Sequence, residues 1–173
     1  MMPPAVRILG IDPGLRRTGW GIIDVSGSRL RFIACGVLGI DSDQALSARL
    51  RDIHDGLQAI IGDHLPDEAA VEITFVNANP DSTLKLGQAR GIAILVPALN
   101  GLPIGEYAAN LVKKTVVGAG HADKRQIRRM VEVLLPTAKI TNDDAADALA
   151  IAITHAHHRQ IKRLVATPPR ESA

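Results

Sequence analysis

Up to Leu38 the apolar residues come in short runs closed by turn-forming residues, and from Gln44 onward most recur at helical spacing. Val6 to Ile11 is an apolar run ended by Asp12-Pro13-Gly14, where Pro presets φ and Gly admits positive φ, so it reads as a strand entering a tight turn. Thr18 to Asp24 and Leu30 to Leu38 are two more strand-like runs around Ser26-Gly27-Ser28, giving three strands with short antiparallel connections. Leu46, Leu50, Ile53, Leu57, Ile60 and Ile61 then predict an amphipathic helix from Gln44 to about His64. Ala69 to Phe75 reads as a fourth strand. Asn77-Ala78-Asn79-Pro80 breaks it, and Asp81 or Ser82 can cap a helix running to about Asn100. Pro103 to Tyr107 is a short fifth strand, followed by helices at Ala109 to Val116, Asp123 to Leu135 and Asn142 to about His158. This order predicts an α/β fold, a mixed five-stranded sheet flanked by helices, as one domain over residues 1–165 with a disordered tail at 166–173.

Composition narrows the function. At 173 residues with 46% hydrophobic content, a chain buries enough surface to fold without disulfides, and the single Cys35 permits neither a disulfide framework nor a Cys-rich zinc site. Four aromatics (Trp20, Phe32, Phe75, Tyr107) are too few for a surface that stacks many bases. Met1 to Val6 has no basic region before a long apolar stretch, and no apolar run nears the roughly 18 residues of a membrane span, so we expect a cytoplasmic protein without membrane attachment. The net charge of +2 is unevenly spread. Residues 1–86 carry three more acids than bases, whereas residues 87–173 carry five more bases than acids. Lys113-Lys114, Lys124-Arg125 with Arg128-Arg129, and Arg159 to Arg163 form the clusters, a pattern shared by polyanion-facing surfaces and by ordinary solvated faces.

Four acids stand out. Asp12 ends the first strand, Glu72 interrupts the fourth, and Asp144 and Asp147 share a helix face at the start of the last helix. If the first and fourth strands are neighbours and the last helix crosses their ends, these carboxylates meet in a pocket where repulsion forbids full ionisation unless cations enter. Hard divalent ions such as Mg²⁺ fit, in the two-metal arrangement for in-line attack on a phosphodiester. Each acid also has an ordinary structural explanation. Asp12 suits the turn, Glu72 can face water, Thr141 and Asp144 resemble a capping box, and Asp143 can pair with Asp147 as readily as Asp144 can. His155, His157 and His158 lie too far along the last helix to join the set, and read as surface or core residues.

Four stretches taken together, Ile8 to Gly14, Leu84 to Gly91, Val112 to Gly118 and Asp144 to Ala150, resemble the RuvC Holliday junction resolvases of the RNase H-like nuclease superfamily. The resemblance implies a homodimeric, divalent-metal-dependent endonuclease with Mg²⁺ or Mn²⁺, two ions per site, that nicks opposed strands of four-way junction DNA and cooperates with the RuvA and RuvB branch-migration proteins. It selects Asp12, Glu72, Asp144 and Asp147 as metal ligands and Lys113 and Lys124 as functional bases. Lys114, Arg125, Arg128 and Arg129 would contact backbone phosphates. Phe75, last before the Asn-rich loop, is expected to stack on a base unpaired at the crossover. Gly87 and Gly91, four apart, with Leu84 and Leu95 suggest that their helix lies in the dimer interface. Ile73 and Ala78 depart from the family pattern, which bears on junction contacts near that loop. The first stretch alone also resembles ATP-binding sugar-kinase strands, but a kinase needs a second domain and further phosphate loops. A catalytically silent junction binder would lack part of the acid set.

Overall fold

The computed structural model describes residues 4–73 and 78–166, with side chains placed as far as Arg159. Strands β1 (Val6–Asp12), β2 (Arg17–Ser26) and β3 (Arg29–Gly39) form an antiparallel meander. Helix α1 (Leu46–His64) crosses to β4 (Glu68–Ile73), parallel to β1, and α2 (Pro80–Leu99) crosses to β5 (Ile104–Ala108), parallel to β4. Helices α3 (Ala109–Val117), α4 (Lys124–Leu134) and α5 (Asp143–Ala166) complete the chain, and the sheet order is β3-β2-β1-β4-β5. This is the mixed five-stranded sheet that the hydrophobic pattern predicts.

Both faces of the sheet are covered. Leu9, Ile11 and Val71 pack with Ile53, Leu57 and Ala93 of α1 and α2, while Ile8 and Ala70 pack with Leu149 and Ile153 of α5. All of these side chains are fully buried. A one-residue slip of β1 would exchange its two faces, and each displaced Leu or Ile represents about 1.5–3 kcal/mol of burial, so the register is firmly set.

Helix α5 lies directly on β1 and β2 because glycines leave it room. A Cβ at Gly10 would stand 2.1 Å from the Ala148 carbonyl oxygen, and one at Gly19 would stand 2.1 Å from that of Asp144. The farther half of α5 is tied to the sheet by polar contacts. Arg159 donates to Glu68 through Nε (2.8 Å) and Nη2 (2.5 Å), His155 Nε2 lies 2.8 Å from the same carboxylate, and His155 Nδ1 lies 2.8 Å from the Tyr107 hydroxyl. These contacts hold α5 to the sheet as far as Arg159, and the helix itself runs past the expected end near His158 to Ala166. His155 is thus a core residue and His157 is exposed.

The caps differ from expectation at two helices. Asn79, not Asp81 or Ser82, caps α2, accepting from the backbone N–H of both, because Pro80 takes the first helical position where its missing N–H costs nothing. At α5 the Asn142 side chain accepts from the Ala145 N–H, so the Thr141 and Asp144 capping box does not form and Asp144 is left for other work. Helix α4 opens with a reciprocal box between Asp123 and Gln126. Phe75 and residues 167–173 of the expected tail lie outside the described residues.

Candidate active site

β1 and β4 run parallel with Ile11 level with Val71, so the next residues, Asp12 at the end of β1 and Glu72 one residue before the end of β4, lie side by side on neighbouring strands. Each is two residues past a position that faces α5, Gly10 and Ala70, and strand alternation therefore aims both carboxylates toward that helix. Across the sheet Asp12 pairs with Gly19, beneath the backbone of Asp144. The turn leaving Asp12 is clamped by the buried Thr18, whose Oγ1 donates to the Gly14 carbonyl (2.8 Å) and accepts from the Gly14 N–H (3.2 Å).

Asp12, Glu72 and Asp147 line one cleft of about 280 Å³ together with Lys113 of α3 and Lys124 of α4. Lys124 Nζ stands 3.7 Å from Asp147 Oδ2. Burial pushes Asp12 up to about 8, reinforced by the charges of Glu72, Asp147 and Asp144 and opposed by Lys124. Burial also raises Glu72, with Asp147 adding to it and Lys113 and Lys124 opposing. Asp147 is raised by burial as well, against the pull of Lys124. Two lysines do not offset this many crowded carboxylates.

Asp144 sits at the rim, with its Oδ2 2.7 Å from Arg17 Nε. Among the described residues no three His, Cys, Asp or Glu side chains close into a metal cage. An open set of oxygen donors suits Mg²⁺, which keeps several waters and takes one or two carboxylates at a time. Asp143 points elsewhere, 3.3 Å from Arg128 Nη1.

The arginines of α4 divide into two kinds. Arg128 donates to the Ile140 carbonyl (2.8 Å) and pairs with Glu132 and Asp143, so its guanidinium is engaged at the α4–α5 loop, unlike those of the other two arginines that the sequence grouped with it. Arg125 and Arg129 are exposed beside Asp123 and Gln126, with no ion pair among the described residues. Lys114 is exposed on α3 and does not line the cleft.

Two contributors escape sequence reasoning. Arg17 holds Asp144, and Arg90 of α2 donates to the Glu72 carbonyl (3.1 Å) while pairing with Glu106, which fixes the end of β4. The only available signal was the doublet Arg16-Arg17 after the turn and Arg90 within the helical stretch Leu84 to Gly91, neither of which names a partner.

With that geometry in place, the family described as Crossover junction endodeoxyribonuclease RuvC matches residues 8–155. The chain belongs to this RuvC family. The crossover junction endodeoxyribonuclease RuvC of Afipia carboxidovorans is 62% identical over 165 residues, covering 95% of this chain and 96% of that protein. The RuvC of Bradyrhizobium diazoefficiens is 63% identical, covering 90% and 89%. Among solved structures, T. thermophilus RuvC in complex with Holliday junction substrate superposes with a TM-score of 0.84 at 29% identity, covering 91% of this chain and 96% of that one. The RuvC relationship and the sheet order agree on the RNase H-like fold. No helix among the described residues is long and apolar enough to cross a membrane.

Proposed function

We propose that this chain resolves four-way DNA junctions, in recombination and repair in the cytoplasm, by hydrolysing one phosphodiester in each of two opposed strands. The observation that carries the reading is the cleft itself, where Asp12, Glu72 and Asp147 crowd together with raised proton affinity under Lys113 and Lys124, with Asp144 at its rim. Oxygen-only donors short of compensating charge fit hard divalent cations, and Asp12, Glu72, Asp144 and Asp147 would hold them: Mg²⁺, with Mn²⁺ as a substitute, two per site. Such ions lower the pKa of a bound water and neutralise charge on the phosphate.

The chain's own groups do the rest. Asp12 and Glu72, fixed on adjacent strand ends, set where the scissile phosphate lies against the sheet. Lys113 and Lys124 approach from α3 and α4 and offset negative charge as it develops on the phosphoryl oxygens. In the reaction the water oxygen bonds to phosphorus and the P–O3′ bond breaks. One water proton ends on the 3′-oxygen and the other is released with the new 5′-phosphate. Lys114, Arg125 and Arg129 are exposed to phosphates farther along the strand. Incubation with Mg²⁺ and a labelled four-way junction should give symmetric nicks with 5′-phosphate and 3′-hydroxyl ends at the junction, and none on linear duplex. Equal cutting of both substrates would overturn the proposal.

Two coordinated cuts in a two-fold substrate suit a two-fold enzyme, and the reading includes a homodimer. Leu84, Gly87, Gly91, Leu95 and Leu99 form one exposed stripe along α2, with Leu84 63% and Leu99 67% accessible, and a Cβ at either glycine would meet nothing. A second copy covering that stripe lets backbones approach at the glycines. Leu95→Glu should therefore shift sedimentation at micromolar concentration from dimer to monomer with little change in melting temperature. A wild-type chain that sediments only as monomer would remove this part of the proposal. The proposal includes RuvA and RuvB as partners, on the family resemblance of the sequence motifs.

A further inference from the structure

Cations converge at a second place, on the other side of the sheet end. The β1–β2 turn meets α1 and the start of α2 around an open cleft of about 490 Å³, lined by Arg16, Arg17, Arg49, Ser82 and Lys85 and by no acidic side chain. Leu15 of this turn is buried among the residues of α1 and α2, which places the cleft on the face opposite α5. Arg49 donates to the Leu15 carbonyl through Nε (3.2 Å) and Nη2 (2.7 Å), so it shapes the turn while adding charge. Lys85 rests against Asp81 at 2.8 Å, an exposed pair that little energy holds together. Arg16 is exposed and has no ion pair among the described residues. Arg17 belongs to this cleft and also reaches Asp144, so the two clefts meet at one guanidinium.

We infer that this cleft binds the phosphodiester backbone of a DNA arm next to the cut site, with Arg16 and Lys85 as its phosphate contacts and Arg17 as the link to the carboxylates. The inference rests on the DNA-cutting reading above and extends the DNA path to a face for which the sequence offered no residue. The lining favours backbone over bases, since it has basic groups and a serine hydroxyl but no aromatic ring. Its position explains how a strand is gripped on both sides of the β1 end: Lys113 and Lys124 on the α5 side, Arg16 and Lys85 on the α2 side.

The test is fluorescence anisotropy with a labelled four-way junction in EDTA, titrated at several salt concentrations. The full chain, Arg16→Glu with Lys85→Glu, Arg16→Ala with Lys85→Ala, and Arg29→Glu are compared. Arg29 is exposed at the β2–β3 turn, at the other end of the sheet, and controls for net charge. The double Glu variant should bind at least about tenfold more weakly, and both doubles should show a log–log salt slope shallower by about 1–2, the loss of one or two phosphate contacts. Arg29→Glu should bind within about twofold of wild type, by the same counterion argument applied to a residue off the path. Wild-type affinity and slope in both doubles, or an equal loss in Arg29→Glu, would overturn the inference. A wild-type chain that does not bind the junction would overturn the proposed function instead.

Discussion

Asp12→Asn is expected to abolish junction cleavage while making the metal-free protein harder to unfold at alkaline pH. The carboxyl titrates at 3.8 in an ordinary environment and at about 8 in the folded chain. Between these values the folded protein keeps a proton that the unfolded chain has lost, so wild-type stability falls as pH rises through that window. The fall is complete once pH passes the folded value. Asn mimics the neutral acid and carries no proton to lose, so in EDTA the variant should exceed wild type at pH 6 and by more at pH 9, the two converging only as pH falls toward the ordinary carboxyl value of 3.8. Glu72 and Asp147, also raised, leave some slope in both proteins.

Mg²⁺ should reverse the order. A ligand at 100 times its Kd stabilises by about 2.7 kcal/mol, and each kcal/mol raises the melting temperature of a chain this size by about 2–4 °C. Wild type should gain this and Asp12→Asn much less. Cleavage should fall by at least about 10²–10³-fold, the scale of losing one group that stabilises a transition state. Junction affinity should persist, since it rests on Lys and Arg contacts to phosphate. Asp143→Asn, whose carboxylate faces Arg128, should stay active. Melting curves at the two pH values with EDTA or Mg²⁺, alongside nicking assays, decide the matter. An active Asp12→Asn, or one less stable than wild type at pH 9 in EDTA, would refute the role assigned to that carboxylate.

How far the site could be read in advance depends on what kind of information each residue needs. Asp12 was legible because turn chemistry closes an apolar run at that position. Glu72 was legible as an acid interrupting an apolar run, but its facing was not, because alternation separates Ala70 and Glu72 from Val71 without saying which side is covered. Here both sides are covered, by α5 and by α1 with α2, and only the parallel pairing of β4 with β1 decides what Glu72 meets. The helical spacing of Asp143, Asp144 and Asp147 left the first two equivalent. The Arg128–Asp143 and Arg17–Asp144 pairs separate them, and each joins segments distant in sequence. Arg128 looked like its neighbours Arg125 and Arg129 for the same reason, since charge clustering cannot show which guanidinium a nearby carbonyl takes.

Gly19→Ala should cost activity out of proportion to stability, and Gly10→Ala should cost both. A methyl at Gly19 lands 2.1 Å from the Asp144 carbonyl and 3.1 Å from its Cβ, under the first turn of α5, where only the small Ala145 and Ala146 are buried and a lift of the helix end disturbs less packing than at mid-helix. Lifting carries Asp144 and Asp147 away from Asp12, and a misplacement of about 1 Å commonly costs about 10²-fold in rate. At Gly10 the methyl meets the Ala148 oxygen at 2.1 Å and the Ala152 nitrogen at 2.8 Å, beneath the middle of the helix. There α5 is flanked by the fully buried Leu149, Ile151 and Ile153 and cannot shift alone. Overpacking of that kind costs about 1–3 kcal/mol, a fall of about 2–4 °C in melting temperature for each. Gly62→Ala is the control. It is exposed near the end of α1 with open space at its Cβ, and Ala there should be neutral or stabilising by up to about 1 kcal/mol. Melting temperature and single-turnover nicking of the three variants test the point. Full activity in Gly19→Ala would mean that the close seat of α5 on β2 does not set the carboxylate geometry.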